Sequence, residues 1–196
     1  RTGGGEFIAR STVGMSNIPS DDGGVIATVN SSWYWERVDQ DNATVEDFGA
    51  IPYIVPDDGS VAIGAVVASD AFQRMFDSLH RIVVADGNNI GYLIDAPIRL
   101  ISQLYWKVDL KTCVIAKTTT TKTGLSEYIQ VGTSYVEGNV NCVFFIGGEK
   151  CRYWEIKGGC LDCHLAPSND RPVGLYIAEA VGYKIDKLLT RGCKYG

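Results

Sequence analysis

Short apolar runs alternate with turn-forming residues over most of the chain. The runs are strand-sized and rich in β-branched and aromatic residues, and Gly, Pro, Asp and Asn clusters separate them. The predicted strands are Val25–Val29, Ser32–Val38, Ile51–Val55, Ile98–Ile101, Leu104–Leu110, Tyr128–Val131, Val140–Ile146 and Cys151–Ile156. This pattern predicts a sheet that extends over most of the chain.

Two further apolar runs predict a β-hairpin. Ile82–Val84 and Ile90–Ile94 flank Asp86-Gly87-Asn88-Asn89, a sequence rich in turn-forming residues. The Thr-rich segment Thr118–Gly124 is predicted to be an exposed loop or an edge strand.

One segment in the first half of the chain has helical spacing. Phe72, Met75, Phe76 and Leu79 recur at positions i, i+3, i+4 and i+7. They predict one internal helix at about 70–80, with its apolar stripe in the core.

A second helix, at about 173–191, is predicted near the end of the chain. The apolar residues that recur there at helical spacing are Leu175, Ala178, Val181, Ile185, Leu188 and Leu189. The expected fold is therefore α+β and mainly β, with an antiparallel sheet or sandwich, an internal helix and a C-terminal helix. No linker marks a boundary, so residues 1–196 are expected to form a single domain.

Charge and hydropathy exclude some classes of partner. The chain of 196 residues has 18 Lys and Arg against 23 Asp and Glu, a net charge of −5. It contains no basic block, so a nucleic-acid partner is not expected. No apolar run approaches the roughly 20 residues of a membrane-spanning helix. The first ten residues lack a starting Met and a signal-peptide core, which is typical of a mature or trimmed product.

The cysteine content indicates a compartment. Six cysteines in the second half of the chain favour an oxidising environment, so a periplasmic or extracellular location is expected. The sequons at Asn30 and Asn42 are compatible with glycosylation outside the cell, although such triplets also occur by chance.

The sharpest motif is Cys160-Leu161-Asp162-Cys163-His164, a C-x-x-C-H sequence. Two thiols three positions apart can reach the two vinyl groups on one edge of a porphyrin. The adjacent histidine then lies beneath the iron as proximal ligand. The glycines before the motif and the proline after it suit a close approach to a flat ligand.

Over residues 158–167 the chain resembles c-type cytochromes. The resemblance implies covalent haem c at Cys160 and Cys163, with His164 on the iron. Small helical members of that family carry a Met ligand after the motif, whereas Met15 and Met75 both precede it here. The layout is more similar to that of periplasmic haem proteins with a sheet-based fold. His80 is a candidate sixth ligand to the iron, or else a residue that ends the predicted helix.

The same cysteines allow other interpretations. Cys160 and Cys163 could belong to two disulfides, with partners among Cys113, Cys142, Cys151 and Cys193. A zinc site could instead combine Cys151, Cys160, Cys163 and His164, although the usual second pair of ligands at regular spacing is missing.

Two functions of different classes follow. The first is an exported mono-haem c-type protein for electron transfer, small-ligand binding or haem redox chemistry, with a redox partner protein or a small ligand. The second is a non-enzymatic structural or recognition protein, such as a viral coat subunit or a secreted disulfide-linked glycoprotein with a β-sandwich fold. No serine-hydrolase or phosphate-loop motif occurs. Enzymatic activity and homo-oligomerisation stay open.

Overall fold

The structure is a computed structural model that describes nine segments of the chain. They are residues 5–30, 32–101, 105–122, 128–131, 134–137, 140–147, 151–167, 171–178 and 180–194. Of the predicted Thr118–Gly124 segment, the structure describes residues 118–122, and these form a loop without strand structure. Residues 123 and 124 lie outside the described part of the chain.

The chain begins with a small antiparallel sheet. Its strands are β1 (Phe7–Ser11), β2 (Ile26–Asn30) and β3 (Trp33–Arg37), in the order β1-β3-β2. Two 3₁₀ turns follow at Gln40–Asn42 and Val45–Phe48. A nearly buried ion pair between Arg37 Nη1 and Asp47 Oδ1, 2.9 Å long, ties the sheet to the second turn.

A short strand β4 (Tyr53–Ile54) precedes the helix α1 (Ser69–Leu79). This helix confirms the one predicted at about 70–80, and Phe72, Met75 and Phe76 of its apolar stripe are buried.

From residue 81 the chain winds into four successive coils of short strands. The first coil contains β5 (Arg81–Val83), β6 (Ile90–Ile94) and β7 (Ile98–Leu100). The second contains β8 (Trp106–Asp109), β9 (Val114–Lys117) and β12 (Cys142–Ile146), with the hairpin of β10 (Tyr128–Val131) and β11 (Ser134–Glu137) inserted before β12. The third contains β13 (Cys151–Arg152), β14 (Trp154–Lys157), β15 (Cys160–Asp162) and β16 (Val173–Ile177). The fourth contains β17 (Ala180–Val181), β18 (Lys184–Asp186) and β19 (Leu189–Arg191).

Equivalent strands of successive coils pair in parallel and form three faces. The first face has the strand order β18-β14-β8-β5, the second β19-β15-β9-β6 and the third β16-β12-β7. Strand β4 adds to the second face, antiparallel to β6. A chain that coils in this way, with its sheets running along the axis, is a parallel β-helix.

The core of this β-helix is a set of apolar columns along its axis. Ile82, Val108 and Ile156 lie in register on neighbouring strands of the first face, and all three are fully buried. The first coil has no coil before it, so α1 covers that end. There the Phe72 ring contacts Tyr92 edge-on, with 5.4 Å between ring centroids. The helix therefore caps the solenoid, as terminal units of repeat folds do.

The α+β, mainly β class is confirmed, but the sheets are mixed and largely parallel instead of forming an antiparallel sheet or sandwich. The predicted hairpin is also wrong in its pairing. Its two runs are the strands β5 and β6, but they belong to different faces, where each pairs with a strand of the second coil. Local turn residues cannot distinguish a hairpin from a corner of a coil.

The C-terminal helix predicted at about 173–191 is wrong. The described residues of that range form β16 to β19, separated by corners at Gly182 and Lys187, which have φ values of 67° and 55°. Ile185 pairs in register with Ile156 but stays 40% exposed because it ends its column. The apolar spacing arises from short strands at regular intervals, a spacing that a helix can also produce.

No helix in the described part of the chain has the length and hydropathy needed to span a membrane.

Candidate functional site

The C-x-x-C-H residues lie on the second face, in and just after β15. Cys160 is half-buried and borders a cleft of about 520 Å³, whose lining also includes Lys111, Lys157 and Lys187. Cys163 is fully buried in the core, and its Sγ lies 3.2 Å from Sγ of Cys193. The two thiols of the motif therefore have different surroundings.

His164 belongs to a polar cluster around Asp162. Its Nδ1 lies 2.6 Å from Asp162 Oδ1, and the other carboxylate oxygen accepts a hydrogen bond from Arg191 of the fourth coil. Burial alone raises the pKa of Asp162, but the hydrogen bonds from Arg191 and His164 outweigh it and hold this pKa below its usual range. Burial, reinforced by the negative charge of Asp162, raises the pKa of nearby Tyr53 to about 12.

This arrangement does not fit a haem attached as the sequence predicts. Thioether bonds to one porphyrin edge need both thiols on the same side of the group. Here Cys160 borders a surface cleft that neither Cys163 nor His164 lines, and Cys163 contacts Cys193 inside the coil. Haem c at these residues thus stays a prediction of the motif alone.

The second candidate iron ligand, His80, lies on another part of the β-helix. It ends α1 in a left-handed conformation, with φ of 51°, and its ring contacts Phe76 edge-on. It directly precedes β5 of the first face, whereas His164 follows β15 of the second face. The structure does not gather these two histidines into one site.

The zinc alternative combined Cys151, Cys160, Cys163 and His164. Cys151 lies instead beside the indole of Trp106, whose Nε1 donates to its Sγ over 3.2 Å. Within the described ranges, no group of three or more His, Cys, Asp or Glu side chains is arranged to hold a metal ion.

The first face carries a cleft of about 620 Å³, here called the aromatic cleft, where β8, β14 and β18 begin. Its lining includes the candidate iron ligand His80 and five larger aromatic residues, Tyr105, Trp106, Tyr153, Trp154 and Tyr183. Trp154 stacks between the other two members of an inner column, with ring centroids 5.1 Å from Trp106 and 4.9 Å from Tyr183. Parallel stacking of coils produces this column, since equivalent positions recur about every 4.8 Å along the axis.

A second aromatic column forms the rim of the cleft. Tyr105 is 74% exposed and Tyr153 is 56% exposed, yet their rings stack with 5.2 Å between centroids. Tyr153 has a φ of 54°, which is uncommon for an aromatic residue and is fixed here by the corner before β14. Its backbone N–H donates to the carbonyl oxygen of Val181 on the next coil, over 3.0 Å. Strain of this kind occurs more often at functional sites than elsewhere.

Charged side chains form a third column beside the rings. Arg81, Lys107, Glu155 and Lys184 occupy successive register positions on the four strands of the first face. Lys184 Nζ lies 2.9 Å from Glu155 Oε1, and this hydrogen bond lowers the pKa of Glu155. Arg81 and Lys107 also lie 3.6 and 3.9 Å from the carboxylates of Asp41 and Asp109, so the basic groups of this column have acidic partners.

The sequence contained a signal for the aromatic cleft that motif reasoning missed. Tyr105-Trp106-Lys107 and Tyr153-Trp154-Glu155 share the order tyrosine, tryptophan, charged residue. The repeat marks equivalent positions in two successive coils, as internal repeats do in solenoid folds. An insertion of the β10–β11 hairpin separates the two copies and hides their periodicity.

Comparisons with protein-family models, curated proteins and solved structures found no match to this chain.

Proposed function

We propose that the protein is a recognition module that binds a saccharide chain in the aromatic cleft. The observation that carries this proposal is the exposed, mutually stacked pair of Tyr105 and Tyr153 at the cleft rim. Large exposed aromatic rings are costly to leave in water and typical of binding sites.

The chemistry of the cleft suits a sugar. One face of a pyranose ring presents C–H groups that stack on an aromatic ring, and its hydroxyls bond to charged side chains. The cleft offers both features side by side, in the tyrosine rim and in the charged column of Arg81, Lys107, Glu155 and Lys184. A few polar groups beside an apolar floor are what fix the orientation of small ligands in protein sites.

The shape of the fold favours a polymer over a single sugar. Aromatic rings recur at equivalent positions on successive coils, with Tyr105 and Tyr153 on the rim and three stacked rings in the inner column, so the platform extends along the solenoid axis. Solenoid proteins use such repeated surfaces for extended ligands. This proposal belongs to the recognition class that the sequence offered as its second hypothesis, with a β-helix in place of a β-sandwich.

The test is a binding titration of the whole chain against oligosaccharides of neutral sugars and of uronic acids, by calorimetry and by tryptophan fluorescence. At least one saccharide is expected to bind, and Tyr105→Ala or Tyr153→Ala should weaken its binding about tenfold or more, a typical effect of removing an anchoring aromatic. Tyr105→Phe keeps the ring and should bind normally.

Trp33 supplies the matched control, because it is an exposed aromatic residue on the N-terminal sheet. Trp33→Ala should leave saccharide binding unchanged. If no saccharide binds, or if binding survives both tyrosine-to-alanine changes, the proposal is wrong. If the cleft prefers single-stranded nucleic acid and this binding depends strongly on salt, the saccharide proposal is wrong and the stacking ligand is a nucleobase.

Covalent haem makes a separate and simple prediction. If the C-x-x-C-H motif is used for attachment, the native protein shows a Soret band that acidified organic solvent does not extract. A bare-chain mass and no Soret band would dismiss this function without affecting the saccharide proposal.

A further inference from the structure

Two cysteines from neighbouring coils meet inside the second face. Cys163 follows β15 and Cys193 follows β19, and their sulfur atoms lie 3.2 Å apart and share a hydrogen bond. All six cysteines carry free thiols in this structure. The two thiols are therefore already in contact, without a bond between them.

The backbone around the pair holds the two coils together. The Cys163 N–H donates to the carbonyl oxygen of Arg191 over 2.8 Å, just beyond the point where β15 and β19 pair. Neighbouring strands lie about 4.8 Å apart. A disulfide spans Cα atoms 4.4 to 6.8 Å apart, with an S–S length of about 2.05 Å. Adjacent coils thus have a spacing that a disulfide can bridge.

The two thiols differ in access. Cys163 is fully buried, whereas Cys193 is half-buried near the end of the fourth coil. The hydrogen bond between the two thiols lowers the pKa of Cys193, and the same contact together with burial raises the pKa of Cys163. The accessible partner is the better nucleophile and the enclosed partner is placed to resolve a mixed disulfide.

We propose that Cys163 and Cys193 are a redox-active thiol pair that closes to a disulfide and clamps the fourth coil to the third. The oxidant is a low-molecular-weight disulfide such as glutathione disulfide. This inference is independent of saccharide binding.

The chemistry is two successive thiol–disulfide exchanges. The Cys193 thiolate attacks one sulfur of glutathione disulfide, which forms a mixed disulfide and releases one glutathione thiolate. Cys163 then loses its proton to that thiolate or to water, and its sulfur attacks Sγ of Cys193. The second glutathione leaves as thiolate. Two protein thiols are oxidised to one disulfide, and one glutathione disulfide is reduced to two glutathione molecules.

The disulfide would stabilise the fourth coil, which is the least buried coil of the β-helix. Strands β17 to β19 have only two or three residues each, and Val181 and Leu189 are largely exposed. A coil with such short strands and exposed apolar side chains opens locally more easily than the core. The disulfide would close the loop from 163 to 193, which contains the whole fourth coil.

The experiment treats the reduced full chain with glutathione disulfide, blocks the remaining thiols and maps peptides without reduction. The expected result is a loss of two of the six thiols. Trypsin leaves Cys160 and Cys163 on one peptide, so the map is also made on Cys160→Ser, where a link to the Cys193 peptide can involve only Cys163. Cys160→Ser should still lose two thiols, whereas Cys193→Ser should lose none by intramolecular bonding.

Hydrogen exchange supplies a second measurement. It uses the wild-type chain, so a folding defect in a cysteine variant cannot affect its result. In the wild-type chain, oxidation should slow exchange in β18 and β19 roughly tenfold or more and leave β5 unchanged. Cys163→Ala replaces Cys193→Ser if the latter does not fold. Retention of all six thiols, a Cys193 link to Cys160, or haem bound to Cys163 would each overturn the proposal.

Discussion

The indole rings of Trp106 and Trp154 lie face to face on successive coils, with 5.1 Å between centroids and 3° between ring planes. Both side chains are buried, and Phe76 of α1 contacts Trp106 edge-on from the capped end. The stack thus links the capping helix to the floor of the aromatic cleft.

A substitution in the inner aromatic column should reduce stability much more than a substitution in the rim column. Trp154→Ala removes a ring that is 98% buried between two neighbours, so the free energy of unfolding should fall by about 3–5 kcal/mol. Tyr105→Ala, on the exposed rim, should change it by less than about 1 kcal/mol. Urea denaturation measures both. Equal effects would show that the rim tyrosines are structural residues.

Alanine substitutions at two glycines with similar backbone conformations should show how closely neighbouring coils approach each other. Gly158 and Gly64 have φ values of 69° and 83°. A Cβ on Gly158 would lie 2.3 Å from the carbonyl oxygen of Lys111, whereas a Cβ on Gly64 would meet no atom within 4 Å. Gly64→Ala should therefore cost only the conformational penalty, roughly 1–2 kcal/mol.

Gly158→Ala adds a backbone clash to the same penalty and should destabilise the protein by at least about 2 kcal/mol more. Thermal unfolding of the two variants gives the comparison. The sequence suggested that Gly158 allows a flat ligand to approach the backbone. In the structure, its lack of a side chain allows Lys111 of the neighbouring coil to approach. Equal melting temperatures would mean that the corner before β15 relaxes freely.

Protonation of Asp162 should weaken the link between the third and fourth coils. Its pKa is lower in the folded protein than the usual value of about 3.9 in an unfolded chain. Its contribution to stability is fully present above that unfolded value and is lost as the pH falls through the folded one. The free energy of unfolding should therefore drop more steeply below about pH 4 in the wild type than in Asp162→Asn.

Chemical denaturation between pH 3 and pH 7 checks this difference. Asp58→Asn is the control, because Asp58 is fully exposed although its pKa is also lowered, first by hydrogen bonds from Ser60. It should leave the shape of the pH profile nearly unchanged. A profile for Asp162→Asn parallel to that of the wild type would contradict the role of the cluster.

The elements that depend on local spacing were predictable from the sequence. The stripe of Phe72, Met75 and Phe76 fixed one helix, and the β-branched runs marked β2, β3, β6 and β12 close to their observed bounds. Parallel pairing between coils is not local, so a hairpin and an antiparallel sheet were predicted where coil corners and stacked strands occur.

The candidate site shows the same limit. Spacing places Cys160 and Cys163 three positions apart, but it does not determine which thiol enters the core and which faces a cleft. The contact between Cys163 and Cys193 needs the registration of two coils. The aromatic cleft needs four coils at once, so only the repeated Tyr-Trp pair hinted at it.

The last prediction concerns a lysine sealed inside the solenoid. Lys117, at the end of β9, is fully buried, and its Nζ donates to the carbonyl oxygens of Thr119 and Thr121 and to Asn141 Oδ1, over 3.0, 2.9 and 2.8 Å. Lys117→Met relieves the cost of burying an ammonium group but leaves these three acceptors without that donor. Thr121 is exposed and Thr119 is half-buried, so water can replace the ammonium at their carbonyl oxygens, whereas Asn141 is buried. Losing the charge-assisted hydrogen bond to Asn141 Oδ1 should outweigh the gain, and the variant should be destabilised by about 1–3 kcal/mol.

Urea denaturation measures the effect, with Lys107→Met as control because half of the Lys107 side chain is exposed and the change should cost little. The double variant Lys117→Met with Asn141→Leu removes the buried acceptor as well. It should therefore be more stable than the sum of the two single effects predicts, a positive coupling of about 1 kcal/mol or more. Strict additivity would show that the amide of Asn141 finds another donor, and a neutral Lys117→Met would show that the buried ammonium contributes nothing to the fold.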